Sequence, residues 1–172
     1  MLQPISFAAI EYLCLNLRKR DRAEIFGMRG HDNPVLLAHE VLSAATLGRA
    51  AIAFSEQSPA AICGATPLWP GTYTIWAFGT DVWADVAVDI ARYALRTLKP
   101  WLLGRGAHRV QCESRFDHAD AHALLERFGA VREGVLRSYG RDGADYFIYS
   151  WRKADVLQQT EHSPTQTCAV AS

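Results

Sequence analysis

The chain has 172 residues, a length that suits one domain. Its 18 lysines and arginines balance 18 aspartates and glutamates, and this zero net charge argues against a protein that binds nucleic acid through bulk positive charge. Hydrophobic residues make up 49% of the chain, which excludes global disorder, and no apolar run approaches the roughly 18 residues that a membrane span needs.

Helix signals dominate the first 48 residues. Apolar residues recur at helical spacing between positions 8 and 26, in two pieces separated by the charged segment Arg18–Arg22. This segment is typical of a solvated turn and helix start with Asp21 as the cap, and a phosphate-binding role is the alternative. Asn33 followed by Pro34 predicts the start of another helix, which Gly48 ends.

Short strands follow, and then a long helix. Segments 49–55, 60–66 and 72–78 are separated by turn residues and predict an antiparallel meander. Thr80 and Asp81 begin the longest predicted helix, which Pro100 and the glycines after it end. Residues 108–113 predict a fourth strand, which should run parallel to the third because a full helix connects them.

The last third of the domain predicts a short helix and two strands. The helix covers 119–128, and the strands cover 131–136 and 146–151, with an Asp142-Gly143 turn between them. We expect one domain over residues 1–153. Residues 154–172 are rich in Gln, Thr and Ser without apolar periodicity, which predicts a flexible tail.

Cysteine and histidine spacing shows no metal-binding pattern. The four cysteines form no CxxC pair and the histidines form no HExxH motif, so no metal site is predicted. Cys14, Cys63 and Cys112 lie in apolar segments, which is typical of buried free thiols in a protein of a reducing compartment.

The element order, and the segment from His118 to Trp151 above all, resembles the Gcn5-related N-acetyltransferase (GNAT) superfamily. Its short helix, glycine, strand, Arg-Asp-Gly hairpin and aromatic last strand correspond here to a helix ending at Gly129, the Arg141–Gly143 turn and the strand from Tyr146. The resemblance implies an α+β fold, an α/β/α sandwich. Its mixed, mostly antiparallel sheet of about six strands would have a parallel splayed pair in the middle and about four flanking helices.

The resemblance also implies a cofactor site at the end of the third predicted strand. If acetyl-CoA binds, the site would comprise Ile75, Trp76, Ala77, Phe78, Gly79 and Thr80. The loop after this strand lacks the arginine and the glycine pair of the family's pyrophosphate loop. Asp81 and Asp85 stand there instead, and carboxylates at a helix N-terminus repel an incoming anion.

The expected general acid is also replaced. Leu125 stands where active members often place the tyrosine that protonates the departing thiolate. Three side chains are candidate replacements: His118, His122 and Tyr139.

A second, closer resemblance accounts for both the changed pyrophosphate loop and the missing tyrosine. Segments 16–26, 76–83 and 118–129 are similar to a diverged, acetyltransferase-like family of internal virion proteins from short-tailed bacteriophages. It implies a degenerate, non-catalytic protein with no cofactor, acting through other virion or assembly proteins, with oligomers possible. The location implied is the cytoplasm of a bacterial host or the virion itself. The alternative is an active acyl-CoA-dependent N-acyltransferase with an atypical pyrophosphate loop.

Overall fold

In a computed structural model that describes residues 2–153, seven strands form one sheet. The strands are β1 (Leu2–Gln3), β2 (Arg49–Ser55), β3 (Ser58–Trp69), β4 (Thr72–Gly79), β5 (Arg109–Arg115), β6 (Val131–Leu136) and β7 (Tyr146–Arg152). Their order across the sheet is β1-β2-β3-β4-β5-β7-β6, and only β4 and β5 run parallel. The predicted tail, 154–172, lies outside the described residues.

Helices cover both faces of this sheet. They are α1 (Phe7–Leu15), α2 (Lys19–Gly27), α3 (Pro34–Leu47), α4 (Trp83–Tyr93), α5 (Lys99–Gly104) and α6 (Ala119–Arg127), and a π-helical segment, Ala94–Leu98, joins α4 to α5. No helix in this part of the chain is both long and apolar enough to cross a membrane.

Strand alternation separates two hydrophobic cores. Ile52, Ile62 and Phe78 point to the face that α1, α2 and α3 cover. The intervening positions on β2 and β3 are small, mainly alanines such as Ala51 and Ala61, and they pack under α4. Small side chains allow the helix to lie close to the strands, which explains the alanine-rich strand sequences.

The predicted fold class is confirmed, with the short strand β1 added to the six expected. The long helix departs from its prediction at Thr80 and at Pro100, but it ends at Gly104, the first of the glycines predicted to end it. The first turn starts at Trp83, and Pro100 lies in the first turn of α5. Proline is tolerated there because a first-turn N–H has no partner within its own helix.

The parallel strands β4 and β5 separate soon after they meet. They pair at three positions only, Thr72 with Arg109, Tyr73 with Val110 and Thr74 with Gln111. Beyond these pairs β4 remains bonded to β3, and β5 remains bonded to β7. The middle of the sheet therefore opens into a V, as predicted.

Candidate active site

A cleft of about 1310 Å³ occupies this V and extends to both faces of the sheet. Residues from β4, β5, α2, α4 and α6 line it. Trp76 and Trp83 line the cleft and are held by contacts of their own. Trp76 donates its Nε1–H to Thr66 Oγ1 at 2.9 Å, and Trp83 lies under the guanidinium of Arg18, 4.5 Å from the ring centre.

The edge of β4 that faces the cleft carries unpaired backbone groups. Thr80 donates its N–H to Ala60 O on β3, whereas the Gly79 N–H points away from β3 to Asp21. Because alternate residues of a strand bond to opposite sides, the C=O of Ile75 and the N–H and C=O of Ala77 face the cleft. The Ile75 N–H belongs to the last pairing with β5, at Thr74 and Gln111. Such an edge is suited to an extended ligand that carries amides.

Helix α2 closes the wide end of the V through Asp21. This carboxylate is 3% exposed, and its Oδ2 accepts from Gly79 N at 2.7 Å and lies 2.8 Å from Arg18 Nε. Its Oδ1 lies 3.1 Å from His118 Nε2. The prediction that Asp21 caps a solvated helix start is therefore wrong: α2 begins at Lys19, and Asp21 points into the protein from its first turn.

One helical turn later, Glu24 bonds to the other side of the V. Its Oε2 accepts from Ser114 Oγ at 3.0 Å and from Arg115 N at 2.9 Å. Burial raises the pKa of Glu24, and these hydrogen bonds lower it only in part. Glu24 lines the cleft. Glu24 was not among the predicted site residues, although the spacing of Asp21 and Glu24 puts both carboxylates on one helix face.

Of the three candidate acids, the structure brings His118 to the cleft. It is 3% exposed, and its Nδ1 accepts from Ala121 N at 3.3 Å at the start of α6. This contact assigns the proton to Nε2, which donates to Asp21. Burial lowers the pKa of His118, but the Asp21 hydrogen bond and the charges of Glu24 and Asp21 outweigh it, so the pKa lies above its ordinary value.

The other two candidates lie elsewhere. His122 donates its Nε2–H to Arg115 O at 2.9 Å and stacks on Tyr149, and burial lowers its pKa. Tyr139 is half exposed in the connection between β6 and β7 and packs edge-on against Tyr146. Neither side chain lines the cleft.

Only part of the candidate cofactor segment, residues 75–80, lines the cleft. The cleft lining includes four of its residues, Ile75, Trp76, Ala77 and Phe78. Gly79 is bonded to α2 on both sides, since its N–H donates to Asp21 and its C=O accepts from Arg18 N at 3.0 Å. A side chain at Gly79 would come within 2.5 Å of Ala60 O and 2.8 Å of the Trp83 ring.

The start of α4 does not form a phosphate cradle. Trp83 N donates to Thr80 O, and Asp85 N donates to Val82 O, so two of the N–H groups there already have partners. Asp81 lines the cleft, but Asp85 accepts from Ser55 Oγ at 2.9 Å on β2. The start of α4 therefore presents a carboxylate to the cleft, which would oppose the diphosphate of coenzyme A.

No model of a known protein family matches this sequence, and no curated protein matches it significantly. Solved structures do match. The ribosomal-protein-alanine N-acetyltransferase of Brucella melitensis superposes with a TM-score of 0.68 at 15% identity, over 88% of this chain and 99% of that one. Ard1 of Thermoplasma volcanium gives 0.66 at 12% identity, over 88% and 96%.

A third match names the fold family. An acetyltransferase of the GNAT family from Streptococcus pneumoniae gives a TM-score of 0.61 at 13% identity, over 88% of this chain and 98% of that one. The resemblance to phage virion proteins has no support in these comparisons. At such identities the likeness establishes architecture alone: the chain has the fold of the GNAT acetyltransferases.

Proposed function

We propose that the protein is an acyl-CoA-dependent N-acyltransferase that transfers an acyl group, acetyl in the simplest case, to a primary amine. The observation that carries the proposal is the open V, which has an unpaired strand edge on one side and a partly buried carboxylate, Glu24, on the other.

The β4 edge would hold the donor. Bound acyl-CoA supplies an activated acyl group, and transfer breaks its C–S bond as the amine nitrogen forms a C–N bond. The C=O of Ile75 is placed to accept from an amide of an extended arm, and the N–H of Ala77 is placed to polarise the thioester carbonyl. Because they belong to a strand held by β3, they need no reorganisation during the reaction.

Glu24 would act as the base. It accepts the proton that the amine nitrogen loses, and that proton leaves with coenzyme A as the thiol. A pKa raised by burial lies closer to the working pH, which suits a general base. Asp21 is less suited, because both of its oxygens already have buried partners.

Calorimetric titration of acetyl-CoA into the purified protein tests the proposal. We expect saturable binding with a dissociation constant at or below about 100 μM, equivalent to roughly −5.5 kcal/mol. Ala77→Pro removes one N–H from the cleft edge without removing a bond to β3, and it should weaken binding at least fivefold while thermal unfolding confirms that the variant folds.

No binding at 1 mM acetyl-CoA would overturn the proposal. That result would favour the alternative function, a non-catalytic protein that acts through virion or assembly partners. Binding without coenzyme A release in the presence of any primary amine would also refute catalysis.

A further inference from the structure

The cleft continues beyond Glu24 into a recess between α2 and α3. Apolar side chains line this recess, here called the acceptor pocket: Ile25, Met28, Val41, Ala44 and Trp76. Ile25, Val41 and Trp76 also belong to the core on this face of the sheet, so its walls are firmly packed. Met28, the C-cap of α2, follows Glu24 by four residues, which places the carboxylate and the pocket on the same side of this helix.

The polar groups of the acceptor pocket have partners within the protein. Thr66 Oγ1 donates to Ala44 O at 3.1 Å and accepts from Trp76 Nε1 at 2.9 Å. A ligand atom that sought a hydrogen bond from this floor would have to break one of these two.

The charges at the rim of the pocket are likewise compensated. Arg29 donates from Nε to Glu40 Oε2 at 2.7 Å and from a terminal nitrogen to Ile25 O at 2.8 Å. His31 Nε2 lies 2.8 Å from the second oxygen of Glu40. What remains for a ligand is apolar contact in the pocket and the Glu24 carboxylate beside it.

We propose that the acceptor is a primary amine carried on a compact apolar or aromatic group. This inference rests on the proposed function. The apolar group fills the acceptor pocket, and the amino group lies at Glu24, which takes its proton as the nitrogen bonds to the acyl carbon and coenzyme A leaves as the thiol. A polar acceptor loses its water hydrogen bonds in the pocket and gains none, so it is rejected.

Two kinds of molecule share this chemistry, a free arylalkylamine and the amino-terminus of a peptide that begins with an apolar residue. The experiment compares kcat/KM, at saturating acetyl-CoA, for phenethylamine, ethanolamine, a tripeptide beginning with Phe and the matched tripeptide beginning with Asp. We expect each apolar acceptor to exceed its polar counterpart at least tenfold. The apolar acceptor with the higher kcat/KM shows whether the acceptor is a free arylalkylamine or a peptide amino-terminus.

One variant and one control variant test whether the preference for apolar acceptors arises in the acceptor pocket. Ala44→Leu fills the space without removing the backbone carbonyl that Thr66 uses, and it should raise KM for the apolar acceptor at least fivefold with less than a twofold change in kcat. Ser43→Leu, on the exposed side of the same helix, should change neither value.

Two results would overturn the inference: equal or better use of ethanolamine and the Asp peptide, or no effect of Ala44→Leu. If acetyl-CoA binds and polar amines are acetylated without discrimination, the acceptor class is wrong and the proposed function stands. Absence of acetyl-CoA binding would overturn both.

Discussion

Replacing Asp21 by asparagine tests whether α2 holds the V together. The carboxylate accepts from two donors, Gly79 N–H and His118 Nε2–H, and pairs with Arg18. An amide has one acceptor oxygen, so one buried donor would lose its partner, which costs about 1–3 kcal/mol. The hydrogen bond that remains would also lose its charge assistance, about another 1 kcal/mol. We therefore expect Asp21→Asn to lower the free energy of unfolding by about 2–4 kcal/mol.

Urea unfolding monitored by tryptophan fluorescence measures this loss. The slope against urea should stay unchanged if the variant reaches the same native state. Asp120→Asn is the matched control, because Asp120 forms an exposed ion pair with Arg20 and should contribute less than about 1 kcal/mol. A loss below 1 kcal/mol for Asp21→Asn, or equal losses for the two variants, would refute the bridging role.

Three further predictions concern the cleft. Glu24→Gln keeps the shape but removes the base, so kcat should fall about 10²–10⁴-fold with acetyl-CoA affinity unchanged by calorimetry. Because the folded-state pKa of His118 is raised, its contribution to stability is complete below about pH 6.5 and is lost as pH rises through the raised pKa. Urea unfolding across this range should show the stability decline with pH, and His118→Gln should abolish that pH dependence. Asp81→Asn should tighten acetyl-CoA about two- to fivefold but leave S-acetylpantetheine, which lacks the diphosphate, unaffected; equal effects on both would contradict the placement of Asp81.

Local sequence signals predicted most of the regular structure. The Asn33-Pro34 pair starts α3, with Asn33 Oδ1 accepting from Val35 N at 2.9 Å, and β6 covers the predicted residues 131–136. Apolar spacing, caps and turns act within a few residues, so one sequence is enough to read them. No local signal marks the π-helical segment before Pro100, so the continuation of the helix through the proline to Gly104 could not be predicted.

The candidate site was less accessible from the sequence. Asp21 stands in a charged run typical of a solvated surface, and Glu24 follows it closely. The structure nevertheless buries Asp21 and partly buries Glu24 against strand ends that are distant in sequence, at Gly79 and Ser114. His118 was a candidate because the resemblance aligned its helix with that of the family. Its contact with Asp21 joins residues that are 97 positions apart, and no local pattern reports it.

The sequence by itself determined most of the strands and helices of residues 2–153, and the crossover helix determined that β4 and β5 run parallel. It also excluded a membrane span of the described chain, a prediction with which the helices agree. Tertiary structure alone decided that the V stays open, that α2 bridges it with two carboxylates, and that Asp85 turns away to Ser55. The physical reason is that secondary structure follows from neighbouring residues, whereas the burial and pairing of a charge depend on which distant segments fold against it.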